Sequence, residues 1–327
     1  DELVKWNWTD NDYPNVAIFL YKSLLQAGNT ELADSIIEIS KRHQINPKIV
    51  WITSFKSKDI QKEVINLLAN EKIEAIITTT SFSSVEHKHD DIQNSLWDSF
   101  NVPVYQLLIS SSSINEWKKS TVGLNPIDLS IQVVLPEVDG RICTVPIAFK
   151  NLSHKDNELS ISVYKTEPYE KHIEWCFKYI KNLVYLRKTS NSKKKIAVVL
   201  ANYPVKDSRI ANGVGLDTPE SLLNILRWLK HEGYYLGDDP LPETSKELIN
   251  KLITYRTNSD ETISNEPQSY LSTDDYLYYW NNIESYAKKK LIKRWGEPTN
   301  SKQLEKRGFP INGLSLGNIT ILVQANR

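Results

Sequence analysis

The stretch NVAIFLYKSLLQAGNTELADSIIEISKRHQINPKIVWITSF, Asn15 to Phe55, decides the fold. NVAIFLY is a short, continuous apolar run of the kind that forms a strand buried on both faces. TELADSIIEISKRH, residues 30–43, sets Leu32, Ala33, Ile36 and Ile37 on one helical face, with Thr30 as N-cap. KIVWITSF, residues 48–55, is a second buried strand. Strand, helix and strand at this spacing make one parallel unit.

The pattern continues along the first half. KDIQKEVINLLANEK, residues 58–72, spaces Ile60, Val64, Leu67 and Leu68 as a helix. EAIITTTSF (74–82) reads as a third strand, DDIQNSLWDSF (90–100) as a short helix, and VPVYQLLIS (102–110) as a fourth strand. The expected fold class is α/β, a flavodoxin-like doubly wound parallel sheet. Ligands of such sheets sit beyond the carboxyl ends of the strands. The loops there are residues 22–30, 80–90 and 110–117, and the first offers Gly28, Asn29 and Thr30 as candidate binding residues. The segment 123–150 carries Pro136 and Gly140 and reads as irregular before a final strand.

Near residue 151 the texture turns polar. PYEKHIEWCFKYIKNLVYLRK, residues 168–188, is an amphipathic helix, and TSNSKKK (189–195) a soluble linker. KIAVVLANYP then opens a second strand–loop–helix unit. The division this suggests is a flavodoxin-like domain over 1–150, a helical linker over 151–192, and a second α/β unit with helical additions over 193–327. In the second unit, PESLLNILRWLKHEGY is a helix stopped by Gly233, and TDDYLYYWNNIESYAKKKLIKRW (273–295) reads as one further helix. SLGNITILVQ (315–324) reads as a last strand, and residues 255–272 as an exposed loop. The chain has no methionine, and its last strand runs straight into the terminus, so a stretch of a longer protein, truncated in the second unit, is expected.

Composition narrows the function classes. Lys plus Arg and Asp plus Glu both number 40, a neutral balance that gives no support to nucleic-acid or membrane-surface binding. No run approaches the roughly 18 apolar residues of a spanning helix. The start, DELVKWNWTD, has no signal-peptide character. Cys143 and Cys176 form no CxxC pair and suit buried thiols in a reducing cytoplasm.

The most distinctive loop is IANGVGLDTPESLL, residues 210–223. Gly213-x-Gly215-x-x-Thr218 lacks the third glycine of a dinucleotide fingerprint, and no Gly-Lys-Ser/Thr follows for a phosphate loop. Locally it reads as a helix cap, either Thr218 followed by Pro219, or Asp217 paired with Glu220. His87 and His89 lie in a charged loop without a third metal ligand nearby. The basic run 288–295 reads as a solvated helix face.

Several segments taken together resemble one family. AIFLYKSLLQAGNT, GLNPIDLSIQVVLPEVDGR, VVLANYPVKDSRIANGVGLDTPESLL, RWGEP and LGNITILVQANR occur in an order similar to the large subunit of cobaltochelatase, the CobN type, and to the related magnesium chelatase large subunit. The AGNT and NGVGLDTP segments look closer to the cobalt type. The resemblance implies an ATP-dependent metal chelatase acting as a multi-subunit complex in cobalamin biosynthesis. In that family the tetrapyrrole binds to the large subunit, while ATP is hydrolysed by an AAA+ ATPase and its companion. The resemblance implies Co2+ as substrate metal and hydrogenobyrinic acid a,c-diamide as ring; the alternative is Mg2+ and protoporphyrin IX. A non-catalytic two-lobe small-molecule binding module is the rival from another class. The histidine and glutamate associated with metal insertion are expected beyond Arg327, so no catalytic or metal residue is carried over, and this stretch alone is expected to be inactive. The substrate-binding candidates are Gly28, Asn29, Thr30, Asn202, Asn212, Gly213, Gly215, Asp217 and Thr218.

Overall fold

A computed structural model describes residues 10, 12–84, 96–201, 215–255 and 265–324. The chain divides into two compact units, residues 1–188 and 189–327.

Unit 1 is built on a six-stranded sheet. Its strands are β1 (Asn15–Tyr21), β2 (Asn46–Ile52), β3 (Ile73–Thr78), β4 (Val104–Ser110), β5 (Ile142–Asp156) and β6 (Ile161–Pro168), in the order β2-β1-β3-β4-β5-β6. The pairs from β2 to β5 are parallel and β5–β6 is antiparallel. This is the doubly wound parallel arrangement expected from the strand–helix alternation. Alternate residues of β1 point to opposite faces of the sheet. Val16, Ile18 and Leu20 meet α2 (Glu31–Arg42) and α7 (Glu170–Lys188) through Leu32, Ile36, Ile39, Phe177 and Ile180. Ala17 and Phe19 meet α3 (Lys58–Leu68), Phe55 and Trp97 on the other face. Between β1 and α2 stands the short α1 (Lys22–Gln26).

Segments read as loop or linker are ordered parts of unit 1. Residues 151–188 carry the end of β5, the whole of β6, and α7. Ile173, Cys176, Phe177, Ile180 and Val184 of α7 are buried in the first core, so the helix is a wall of the sheet domain. The β5–β6 hairpin is mostly exposed, and strands wet on both sides show no apolar alternation to read. Residues 126–138, read as irregular, are helical: α5 (Pro126–Leu129), a π-helical stretch (Ser130–Val134) and α6 (Leu135–Val138). Pro136 has no N–H for the regular ladder and stands just after the helix widens to π pitch. α4 (Ile114–Lys119) starts on a capping box, Ser113 with Glu116. The helix expected at 90–100 is a 3-10 turn over Leu96–Ser99, and residues 90–95 lie outside the described residues.

Unit 2 has a three-stranded sheet of β7 (Ile196–Leu200), β10 (Gly313–Leu316) and β11 (Ile319–Val323), ordered β10-β11-β7. It packs on α8 (Thr218–His231) and α9 (Ser245–Thr254) through Leu222, Leu223, Leu226, Leu248, Leu252, Ile319 and Ile321. The single strand expected at 315–324 is a hairpin turning at Gly317 and Asn318. Gly317 has φ +54°, and a Cβ there would lie 2.3 Å from Gly237 N, so only glycine fits. Residues 269–271, within the expected loop, form β8 (Ser269–Leu271) against β9 (Phe309–Ile311). The single helix expected over 273–295 is two, α10 (Thr273–Asn281) and α11 (Ser285–Trp295). Asn282 caps the first helix and its side chain donates back to Tyr278 O. Local hydrogen bonds of this kind compete with helix continuation. Among the described residues no helix is long and apolar enough to cross a membrane.

Candidate functional site

The strand order of unit 1 reverses at β1, between β2 and β3, so the crevice beyond the carboxyl ends of these strands is the expected ligand position. Polar side chains crowd it: Thr78 at the end of β3, Thr79, Thr80 and Ser84 after it, and Ser110 at the end of β4 are all buried. Tyr21 closes β1, and its phenol oxygen accepts from Ser81 N at 2.9 Å.

Beneath this edge lies a buried ion pair. Arg141 Nη2 and Asp139 Oδ2 are 2.8 Å apart, and both side chains are 0% exposed. Arg141 also donates to Gln106 Oε1 and Thr80 O at 3.0 Å, and to Phe82 O at 3.0 Å. Its guanidinium lies 5.2 Å from the Trp97 ring, and its Nε has no partner among the described residues. Asp139 accepts from the Ser83 hydroxyl, from Ser84 N at 2.7 Å and from Ser84 Oγ at 2.8 Å. Burial pushes the Asp139 carboxyl up, but these hydrogen bonds and the Arg141 charge outweigh it, so its pKa lies below the ordinary aspartate value. Burial also lowers Arg141, against the pull of Asp139. A charged pair so placed immobilises residues 80–84, the loop leaving β3. Asp128 does the same for the loop leaving β4, accepting from Ser111 N at 2.7 Å, Ser111 Oγ at 2.9 Å and Asn125 Nδ2 at 2.9 Å. Gln132, from the π-helical stretch, accepts from Ile109 N and donates to Ile109 O, satisfying a strand residue at a register shift.

The residues singled out in the sequence fall into two groups, one in each unit. In unit 1, Gly28 has φ +64° and leads into Asn29 and Thr30 ahead of α2. The Asn29 amide, oriented to satisfy its neighbours, donates to Glu31 Oε2 at 2.9 Å and accepts from Thr166 N at 3.0 Å and Thr166 Oγ1 at 3.2 Å. It ties the loop to β6. Thr30 holds the N-cap position of α2 but makes no cap hydrogen bond; its hydroxyl donates to Asp34 at 3.2 Å. An open depression of about 240 Å³ lies alongside, lined by Glu31, Asn151, Lys165, Thr166 and Glu167. In unit 2, Gly215 has φ +75°, and Asp217 Oδ1 caps α8 by accepting from Glu220 N at 3.0 Å. Of the two caps open in the sequence, Asp217 makes the bond, and Thr218 is the first helical residue. Asn202, Asn212 and Gly213 lie outside the described residues, as do His87 and His89.

Among the described residues no group of three or more His, Cys, Asp or Glu side chains is placed to hold a metal ion. Cys176 is buried and Cys143 half-buried, with burial pushing the Cys143 thiol up to about 11. Sequence reasoning missed the Asp139–Arg141 pair. Its signal was the Asp-Gly-Arg spacing at 139–141 in front of a strand, where a charge on each side of a turn glycine flanks an apolar run.

Comparison with known proteins adds a further layer. A family model described as CobN/Magnesium Chelatase matches residues 1–327. The aerobic cobaltochelatase subunit CobN of Pseudomonas aeruginosa is 32% identical over 315 residues, 96% of this chain and 25% of that protein. The magnesium-chelatase H-type subunit of Chlorobaculum parvum is 27% identical over 330 residues, 96% of this chain and 24% of that protein. A solved structure, the catalytic subunit of cobaltochelatase from Mycobacterium tuberculosis, shares the fold with a TM-score of 0.75 at 24% identity, covering 96% of this chain and 26% of that one. The chain therefore spans about a quarter of the length of these relatives.

Proposed function

From the premise that the chain belongs to the CobN/magnesium chelatase family over its whole length, we propose that it serves the large, tetrapyrrole-binding subunit of an ATP-dependent cobaltochelatase. In this reading Co2+ is the substrate metal and the ring is a corrinoid, hydrogenobyrinic acid a,c-diamide, on a route to cobalamin. ATP is hydrolysed by an AAA+ subunit and its companion in the cytoplasm, and this stretch alone inserts no metal. The observation that carries the cobalt reading is the 32% identity to a CobN subunit across 96% of the chain. Identity to the magnesium-chelatase subunits is lower, at 26% and 27% for the rice and Chlorobaculum proteins.

The chemistry fits this division of labour. Metal insertion strips water from a divalent ion and displaces two ring protons, which requires a base and hard or borderline ligands. A ring with many carboxylate and amide arms needs, in addition, a rigid surface of hydroxyls and backbone donors. In this reading the carboxyl edge of the unit 1 sheet is the rigid support beneath that surface, its β3 and β4 loops held by Asp139, Arg141 and Asp128. The loop at Gly28–Thr30 in unit 1 is proposed as a ring-binding position. So, in its own unit, is the loop at Gly215–Thr218 with Asn202, Asn212 and Gly213.

The test is metal insertion by the complete large subunit with its two partner subunits and ATP, offered hydrogenobyrinic acid a,c-diamide with Co2+ or protoporphyrin IX with Mg2+. Cobalt insertion into the corrinoid alone supports the reading. Magnesium insertion into the porphyrin shifts it to the magnesium branch, and binding of rings without insertion in either mixture supports a non-catalytic module.

A further inference from the structure

Phe82 stands at the reversal crevice in a conformation that its own chemistry disfavours. Its φ is +67°, a region that a bulky L-residue enters only when its surroundings force it. Two contacts hold it there: its N–H donates to Ile131 O at 2.8 Å, and its carbonyl accepts from Arg141 Nη2 at 3.0 Å. A turn needing only this backbone geometry would take glycine or asparagine. Here the position carries a phenyl ring that is 43% exposed and belongs to neither hydrophobic core of unit 1. The neighbouring Ser81 N is engaged by Tyr21 at the end of β1, so the ring's place at the crevice is defined from both strands. Lys56, from the loop after β2, sets its ammonium 5.4 Å from the ring centroid. Lys56 is exposed and makes no ion pair among the described residues.

We propose that Phe82 and Lys56 form a subsite for the rim of a carboxylate-bearing tetrapyrrole, the phenyl ring stacking on its conjugated surface and the ammonium pairing with a peripheral carboxylate. This rests on the ring-binding reading above and names a contact within it. An exposed aromatic face stacks on flat π-systems without regard to their substituents. An exposed cation over a ring is weakly held and exchanges that contact for a charge-assisted hydrogen bond when an anion arrives. The buried Asp139–Arg141 pair then has a role beyond stability, because it keeps the Phe82 carbonyl, and with it the ring, in the ligand-ready position.

The experiment titrates the complete large subunit with metal-free hydrogenobyrinic acid a,c-diamide and with its neutral methyl ester, and the wild type also with protoporphyrin IX, following tryptophan fluorescence. F82L is expected to weaken both ligands roughly tenfold, and F82W to stay within about twofold of wild type, because stacking on an aromatic plane is what is lost or kept. K56Q is expected to weaken the acid about threefold, leaving the ester unchanged, with K56R restoring the acid. Thermal melting of each variant separates lost binding from lost folding, and the exposed Lys56 pair of variants carries the test if F82L unfolds. Binding by F82L and K56Q equal to wild type for both ligands overturns the subsite while leaving the ring-binding reading intact. Failure of the wild-type protein to bind either corrinoid or protoporphyrin overturns both.

Discussion

Asp139→Ala should destabilise unit 1 by about 3–5 kcal/mol, the scale for removing one partner of a fully buried ion pair. The structure sets that scale. The Arg141 side chain is 0% exposed, and the substitution strips it of the carboxylate it pairs with. At the same time Ser84 N, Ser84 Oγ and the Ser83 hydroxyl lose their acceptor, in a place water does not reach freely. Each bond to this carboxylate that is lost has a cost of its own, but the losses are coupled and do not add. For a unit of this size, ~1 kcal/mol shifts the melting temperature by about 2–4 °C, so a drop on the order of 10 °C is expected. The pH dependence follows from the direction of the Asp139 shift. A carboxyl held below its unfolded pKa of about 3.9 contributes stability that is fully present above that value and is lost as pH falls through the folded pKa. The gap between wild type and Asp139→Asn should therefore be widest near neutral pH and close below about pH 4. Calorimetry from pH 7 to pH 2, with urea melts at the two ends, measures it. An Asp139→Ala protein melting within about 2 °C of wild type at pH 7 would refute the reasoning, as would a gap that widens on acidification.

Other outcomes follow from single contacts. Asp217→Ala removes the α8 cap and should cost unit 2 about 1 kcal/mol, read as a shifted urea midpoint; no change would mean that solvent replaces the cap fully. Gly317→Ala should cost more than about 2 kcal/mol, since its Cβ meets Gly237 backbone and its φ is positive; hydrogen exchange of β10 and β11 should rise with it. Leu226→Ala, at a position 0% exposed in the second core, should cost about 2–5 kcal/mol by the same melts. Neither Cys143, with its thiol raised to about 11, nor buried Cys176 should react quickly with a disulfide reagent at about pH 8, and both should react on addition of denaturant.

The strand–helix alternation of unit 1 is legible because its strands are buried on both faces, so Val16 to Leu20 read as one apolar run. The same rule hides β6, where Thr166 is the one buried residue of Ile161–Pro168. α7 is visible as an amphipathic helix, but amphipathicity says only that one face is covered. That the cover is β1, β4 and α2 depends on strand order, which no local pattern contains. The break between α10 and α11 is hidden for another reason: the apolar spacing of Tyr276, Tyr279 and Trp280 runs on to Ile283, while Asn282 diverts its side chain to Tyr278 O.

For the candidate site the divide is sharper. Family membership was readable from ordered segments such as AGNT and NGVGLDTP, and the matched family model covers residues 1–327. By itself the sequence determined the parallel sheet, the carboxyl-edge loops and the alternatives for the α8 cap, because all of these follow from periodicity and capping chemistry within about ten residues. Only the tertiary structure decided that Asp139 and Arg141 meet Ser83, Ser84, Thr80 and Phe82. More than fifty residues separate these partners, and a buried charge acquires its partners only when parallel strands bring their carboxyl ends to one edge.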